Sequence, residues 1–361
     1  MLSRAQCDVL RGLAITGIFL HNFCHWLHGA HHENEYIYYL EHGQTSWNYW
    51  TQGIDWFFPI QFFSFFGHFG VPLFLFLSGW GLAMKYEKDD SSSIKPLPFI
   101  KYHWLKLFRL MALGYLLSIV TYAAFGFGFH PWYEILSQLT MVVNAIFVSP
   151  GSALSPGPYW FFGLMLEVYV FYILFLYPTR NKGCWRWLMP VLSIAVAIAV
   201  QVPLETHTTI LNYMRYNLVV AMLPMSLGIL MARYGLPRLR RGTLAVVAVV
   251  SLVMLAAFNL NYQLWLWAPV LVVTGAVAAV KCFASGSVIL KPMQWMGVMS
   301  SFIFVVHSIP RMPIFKLWLW KQPEMLLTDY AWLALYIALT LLLAWLYKQY
   351  LRLIPSPTLK R

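Results

Sequence analysis

Charge is what this chain has least of. Asp, Glu, Lys and Arg make up 11% of its 361 residues, against about 25% in soluble domains. That shortage excludes an ordinary soluble globular protein. Acidic residues are the scarcest, 13 against 25 lysines and arginines, for a net charge of +12. Such a balance would suit nucleic acid if the cations were clustered on one soluble face. They sit instead in short stretches between apolar runs, the pattern of cytoplasmic loops, so no nucleic-acid partner is expected. Cysteine is also rare. Cys7, Cys24, Cys184 and Cys282 show no paired spacing and no CxxC, which argues against a disulfide framework and a cysteine metal centre. The N-terminus has no small-residue cleavage site, so the first apolar segment reads as a retained span and not a signal peptide. Low-complexity tracts, internal repeats and a soluble extra domain are absent as well, and residues 1–361 read as a single membrane domain.

What is abundant is apolar and aromatic: 60% hydrophobic, 18% aromatic, with 17 tryptophans. Crossing a bilayer takes about 20 apolar residues. Runs of that kind lie near 9–28, 67–84, 106–124, 159–177, 187–203, 216–233, 243–260, 264–281, 296–314 and 330–347. The expected architecture is an all-α integral membrane bundle of about ten transmembrane helices. Ile135 to Val148 is too short and polar to cross and reads as interfacial or re-entrant. Ile54 to Phe66 is expected at the outer surface. With both termini cytoplasmic, the inside receives Lys85 to Lys106, Arg180 to Arg186, Arg233 to Arg241, Lys281 to Lys291 and the basic tail. Lys316 and Lys321 are then the only lysines outside, and every crossing obeys the positive-inside rule. A multi-pass protein of the inner or plasma membrane is expected.

Three titratable side chains, His21, Glu167 and His307, stand well inside three of these runs. Ionisable groups cost roughly 2.5–3.5 kcal/mol at mid-bilayer on insertion scales, so they are rare there and usually functional. At about 1.5 Å rise per residue, His21 lies about 18 Å from the inner end of its helix, Glu167 about 14 Å from the outer end, and His307 about 17 Å from the inside. The three fall at similar depth. A histidine with a carboxylate partner is a general base whose tautomer the partner holds. His21, Glu167 and His307 are therefore the candidate catalytic residues, with Tyr213 or Tyr216 a candidate relay. A second group stands at the inner face: Arg11, Lys101, His103, Lys106 and Arg109. Each alone reads as an ordinary inside anchor; together they can grip the phosphates of a cytoplasmic ligand. His21, His25 and His28, continued by His31, His32 and Glu33, have the i,i+3 and i,i+4 spacing of a zinc-binding helix face. No compact second ligand set accompanies them, and no metal is expected.

Leu10-Arg11-Gly12-Leu13-Ala14-Ile15 through His21 resembles the opening signature of the membrane acyltransferase-3 family. Gly70 to Trp80 is similar to that family's second-helix motif, Phe99 to Arg109 to its basic third-helix segment, and Trp160 to Tyr172 to its Trp-Phe…Glu…Tyr segment. Leu223 to Leu230 and Trp295 to His307 resemble later blocks, so the likeness runs over nearly the full length in the expected order. Two departures stand out. Arg11 and His21 have one residue fewer between them than is usual in the family, and Lys101 and His103 stand where it carries an Arg-Arg pair.

The resemblance implies a bundle of about ten helices that moves acyl groups, most often acetyl from cytoplasmic acetyl-CoA, onto hydroxyls of extracytoplasmic carbohydrate or glycolipid. His21 would be the catalytic histidine, Glu167 an acid of the site, and Arg11, Lys101, Lys106 and Arg109 the acetyl-CoA side. A proton-coupled exporter of glycans or lipids would also place His and Glu at mid-membrane. The absence of an inverted repeat and of a matched pair of broken helices stands against that alternative.

Overall fold

The computed structural model describes residues 1–87, 93–128, 130–146, 156–283, 287–317 and 326–359, with the side chains of 326 and 327 excepted. Lys321, Lys360 and Arg361, all assigned to loops or tail above, lie outside the described residues. The described chain is all-helical: α1 (Arg4–Cys24), α2 (Leu40–Gln52), α3 (Phe58–Tyr86), α4 (Pro96–Ala124), α5 (Gly157–Thr179), α6 (Trp185–Leu204), α7 (Thr208–Arg215), α8 (Leu218–Tyr234), α9 (Arg241–Phe258), α10 (Ala268–Cys282), α11 (Val288–Val306), α12 (Ser308–Leu317) and α13 (Leu326–Arg352).

Seven of these helices are long and apolar enough to cross a membrane: α3, α4, α5, α6, α9, α11 and α13. The number is eight if α7 and α8, bent 48° to each other, form one span. The chain is a multi-pass membrane protein. The expected count of about ten includes two further helices that fall short on simple grounds. α1 carries Arg4, Asp8 and Arg11 in its first turns, and α10 has only 15 residues. Ile54 to Phe66 leads into the second span without a break. From Phe58 onward it is helical and continuous with the second span, tightening to a 3₁₀ turn at Gly67–Phe69. The interfacial reading of Ile135 to Val148 corresponds to two short helices, Trp132–Leu139 and Val143–Ile146; Phe147 and Val148 lie outside the described residues. The last-but-one run is interrupted at His307, which caps α11 before α12 begins.

Membrane helices gain little from hydrophobicity against one another and associate through small residues that let backbones meet. α1 is held this way on two sides. A Cβ on Gly12 would fall 1.8 Å from the Met293 carbonyl oxygen and one on Gly297 1.7 Å from that of Asp8, which locks α1 to α11. On the other side, Gly17 and Gly67 face each other, and a Cβ on Gly67 would lie 2.6 Å from the Cβ of His21. This close approach of α1 and α3 brings the histidine against the backbone of α3.

Candidate functional site

His21 is 2% exposed, and its ring is held from two sides. Nδ1 lies 2.8 Å from the Ser64 carbonyl oxygen. A carbonyl only accepts, so Nδ1 carries the hydrogen, and Nε2 of the neutral ring is the basic nitrogen. Nε2 lies 3.4 Å from Oε2 of Glu35. The orienting group is thus a backbone carbonyl of α3, and the carboxylate beside the base comes from the segment after α1.

That segment is pinned by polar residues of α3. The Gln61 amide donates to the Gly29 carbonyl (2.7 Å) and accepts from the His31 N–H (2.8 Å), while the Ser64 hydroxyl donates to the His31 carbonyl (2.8 Å). Farther along, the Trp265 indole donates to the Asn34 carbonyl (3.0 Å), Arg215 Nε donates to the Glu35 carbonyl (2.8 Å), and Tyr36 stacks on Tyr216 at 4.5 Å. These contacts lay Glu33 and Glu35 over His21. The one-face histidine series therefore breaks up: α1 ends at Cys24, His25 caps it, and His28 turns away to Asp329 at 3.1 Å. The ligand atoms that do converge belong to His21, Glu33 and Glu35, all within 4.8 Å of one another, a set able to hold a divalent cation. Burial pushes the Glu33 carboxyl above its ordinary range, against a smaller opposing effect of His21.

His21, Glu33 and Glu35 line a cavity of about 200 Å³, together with Tyr36, Trp160 and Arg311. His68, buried, with neither ring nitrogen hydrogen-bonded, lines it too and meets the His21 ring edge-on at 5.5 Å. Tyr216 belongs to this wall; Tyr213 does not.

The other two expected catalytic groups are placed elsewhere. Glu167 does not meet His21; its Oε2 accepts from the Leu218 N–H at 2.7 Å, capping the start of α8. His307 is fully buried, with Nδ1 donating to the Phe304 carbonyl at 2.8 Å and Nε2 unpartnered, and it is not among the cavity-lining residues. Equal depth along three helices did not bring these groups together, because depth says nothing of the direction in which a helix turns each residue.

At the opposite end of α1, a cavity of about 410 Å³ is lined by Arg11, Lys106 and Arg109, and an adjoining one of about 300 Å³ shares Arg11, Ser78, Lys106 and Tyr169 with it and adds Lys85. Arg11 pairs with Asp8 at 2.7 Å. The Arg109 guanidinium donates to the Leu351 and Ile354 carbonyls, closing off the end of α13. His103 is buried against Tyr169, ring centroids 3.9 Å apart, and Lys101 is exposed outside both cavities. Three of the four expected cationic groups thus surround one cavity, and Lys85 lines the adjoining one. Phe161 and Phe304, 5.2 Å apart, line both this cavity and the His21 cavity. Two aromatic rings are what lies between them.

Glu35 and Ser64 carry no signal as strong as a charge inside an apolar run, whereas Arg311 is such a charge, within the run at 296–314. The hints were Glu33-Asn34-Glu35 just past the first span, and Gln61 and Ser64 in an otherwise aromatic stretch.

The family model for the acyltransferase domain of the acyltransferase-3 type matches residues 4–348, nearly the whole chain. The chain belongs to the acyltransferase-3 family. No curated protein and no solved structure matches it.

Proposed function

We propose that this membrane acyltransferase takes an acyl group, acetyl foremost, from acyl-CoA on the cytoplasmic side of a cell membrane and transfers it to a hydroxyl of a carbohydrate or glycolipid on the outer side. The observation that carries this reading is the pair of cavities meeting at Phe161 and Phe304, one ringed by cations and the other holding a base. The basic loops put the Arg11 end of the bundle on the inside, with both termini. Arg11, Lys106 and Arg109 border the cavity there and suit the phosphates of CoA, and Lys85 adds charge beside it. Lys101, exposed away from that cavity, has no part in this arrangement.

The thioester then reaches past the two rings to His21. Nε2 takes the proton of the acceptor hydroxyl as its oxygen bonds to the thioester carbonyl carbon; the C–S bond breaks, and the proton passes to the departing thiolate. The Ser64 carbonyl keeps the proton on Nδ1, and Glu35 stabilises the imidazolium formed in between. Glu167 holds α8 in place rather than acting on substrate, and His307 supports the partition through Phe304. Nε2 serves as a base and not as a metal ligand, so the His21–Glu33–Glu35 set works without a cation.

The test is acceptor-dependent release of free CoA from acetyl-CoA by purified protein, with and without EDTA. His21→Ala should lose about 10²–10⁴-fold in kcat with folding intact, and EDTA should change nothing. Normal turnover in the variant would end the base assignment, and loss of activity on chelation would make the site a metal centre.

A further inference from the structure

Arg311, on α12, lines the outer cavity and is 7% exposed. Its Nη1 donates to the Asn22 carbonyl (3.2 Å) and to Asn22 Oδ1 (2.9 Å), and its Nε has no partner. Its other polar neighbours are the hydroxyls of Tyr122 and Tyr336 and the imidazoles of His25 and His307. Among the described residues no carboxylate lies within 4.0 Å of it. Three other arginines of the bundle are matched. Arg233 is clasped by Glu87 at 2.8 and 3.0 Å, Arg11 by Asp8, and Arg109 by helix-end carbonyls. A guanidinium cannot shed its proton in a protein, and a buried charge without a counter-charge costs several kcal/mol. The carboxylates of the cavity, Glu33 and Glu35, are engaged with His21. Arg311 therefore stands in the wall of a cavity as an uncompensated cation with donors to spare.

We propose that Arg311 binds an anionic substituent of the acceptor, a carboxylate or a phosphate, and so selects acidic sugars and turns one of their hydroxyls toward His21. Both groups match the planar donor fork of a guanidinium. The word acceptor rests on the acyltransferase reading; the anion site itself does not. In this arrangement the substrate completes the charge balance of the cavity, and a neutral sugar leaves Arg311 buried and unpaired.

The experiment is equilibrium binding to the purified full-length protein without acyl-CoA, using glucuronate, glucose 6-phosphate and glucose as probes. At least one charged sugar should bind about tenfold or more tightly than glucose, and the two charged arms tell carboxylate from phosphate. Arg311→Gln should abolish the preference, and Arg311→Lys, which keeps the charge, should retain part of it. Equal binding of all three sugars by the wild type, or no binding of either anion, would overturn the proposal without reliance on any variant. So would a preference that persists in Arg311→Gln. CoA release is scored separately. A charge preference in binding without any turnover would spare the anion site and sink the acyltransferase reading. If Arg311→Gln slows neutral and acidic acceptors alike while leaving binding unchanged, the arginine serves the reacting carbonyl instead, and the proposal fails.

Discussion

The Arg11 cavity takes its charge from helices alone, the His21 cavity its acidic charge from a loop. Arg11 and Lys106 stand in long apolar runs, each placed by the register of a single helix. Glu33 and Glu35 reach His21 because Gln61 and Ser64, some thirty residues later, hold Gly29 and His31 by three hydrogen bonds, with Trp265 and Arg215 gripping Asn34 and Glu35. On the proposed function, the Arg11 site grips mobile phosphates by several cations with loose geometry, and loss of one is graded. The outer site is a set of fixed distances around one imidazole, where loss of one partner changes what the base can do.

Substitutions on the two sides should separate cleanly. The largest effect after removal of His21 itself is expected from Glu35→Gln, which takes away the charge facing Nε2. Turnover should fall on the order of 10²-fold while the KM for acetyl-CoA stays put, as steady-state CoA release will record. A rise in that KM instead would mean that Glu35 belongs to the donor side. Next come Arg11→Ala and Lys106→Ala, each expected to raise the KM for acetyl-CoA about tenfold with little change in kcat, and more weakly in high salt. Lys101→Ala, outside the cavity, is the matched control and should be silent. Phe161→Ala opens the partition and should let water reach the thioester, seen as several-fold faster CoA release without acceptor. If that background stays flat, the two rings are not the barrier.

The smallest effect concerns Glu33 and is read in stability. Burial raises its pKa in the fold, so the native state holds the proton more tightly than the unfolded chain does. Its contribution is therefore greatest below the ordinary carboxylate value and is lost as pH rises through the raised one. Wild-type thermal stability should decline over that interval, and Glu33→Gln should flatten the decline. An identical pH profile in the variant would show that Glu33 is not buried as described.

Much of the bundle was legible in advance. Apolar runs located the helices, though three of them (from Phe58, Pro96 and Val288) begin well before the runs at 67, 106 and 296, and the glycine at 12 or 67 could be read as a residue but not as a contact. The excess of expected over qualifying spans came from α1 and α10, where charge in the first turns and short length separate an apolar run from a helix that crosses by itself. Within the site, His21 was visible because a histidine in such a run is conspicuous. Glu167 and His307 were equally conspicuous, yet one caps α8 and the other bonds to its own helix. A buried polar residue announces that it has a partner without saying which.

The sequence by itself determined the class of molecule, an acyltransferase-3 membrane bundle, because hydropathy and charge act locally, residue by residue, on where a segment sits. Only the tertiary structure decided that Ser64 fixes the tautomer of His21, that Glu35 faces it and that Arg311 is left without a counter-charge. Those outcomes depend on the side of each helix that packing turns inward and on how closely Gly17 and Gly67 let two backbones meet, and distance in space between residues far apart in the chain is set by neither composition nor period.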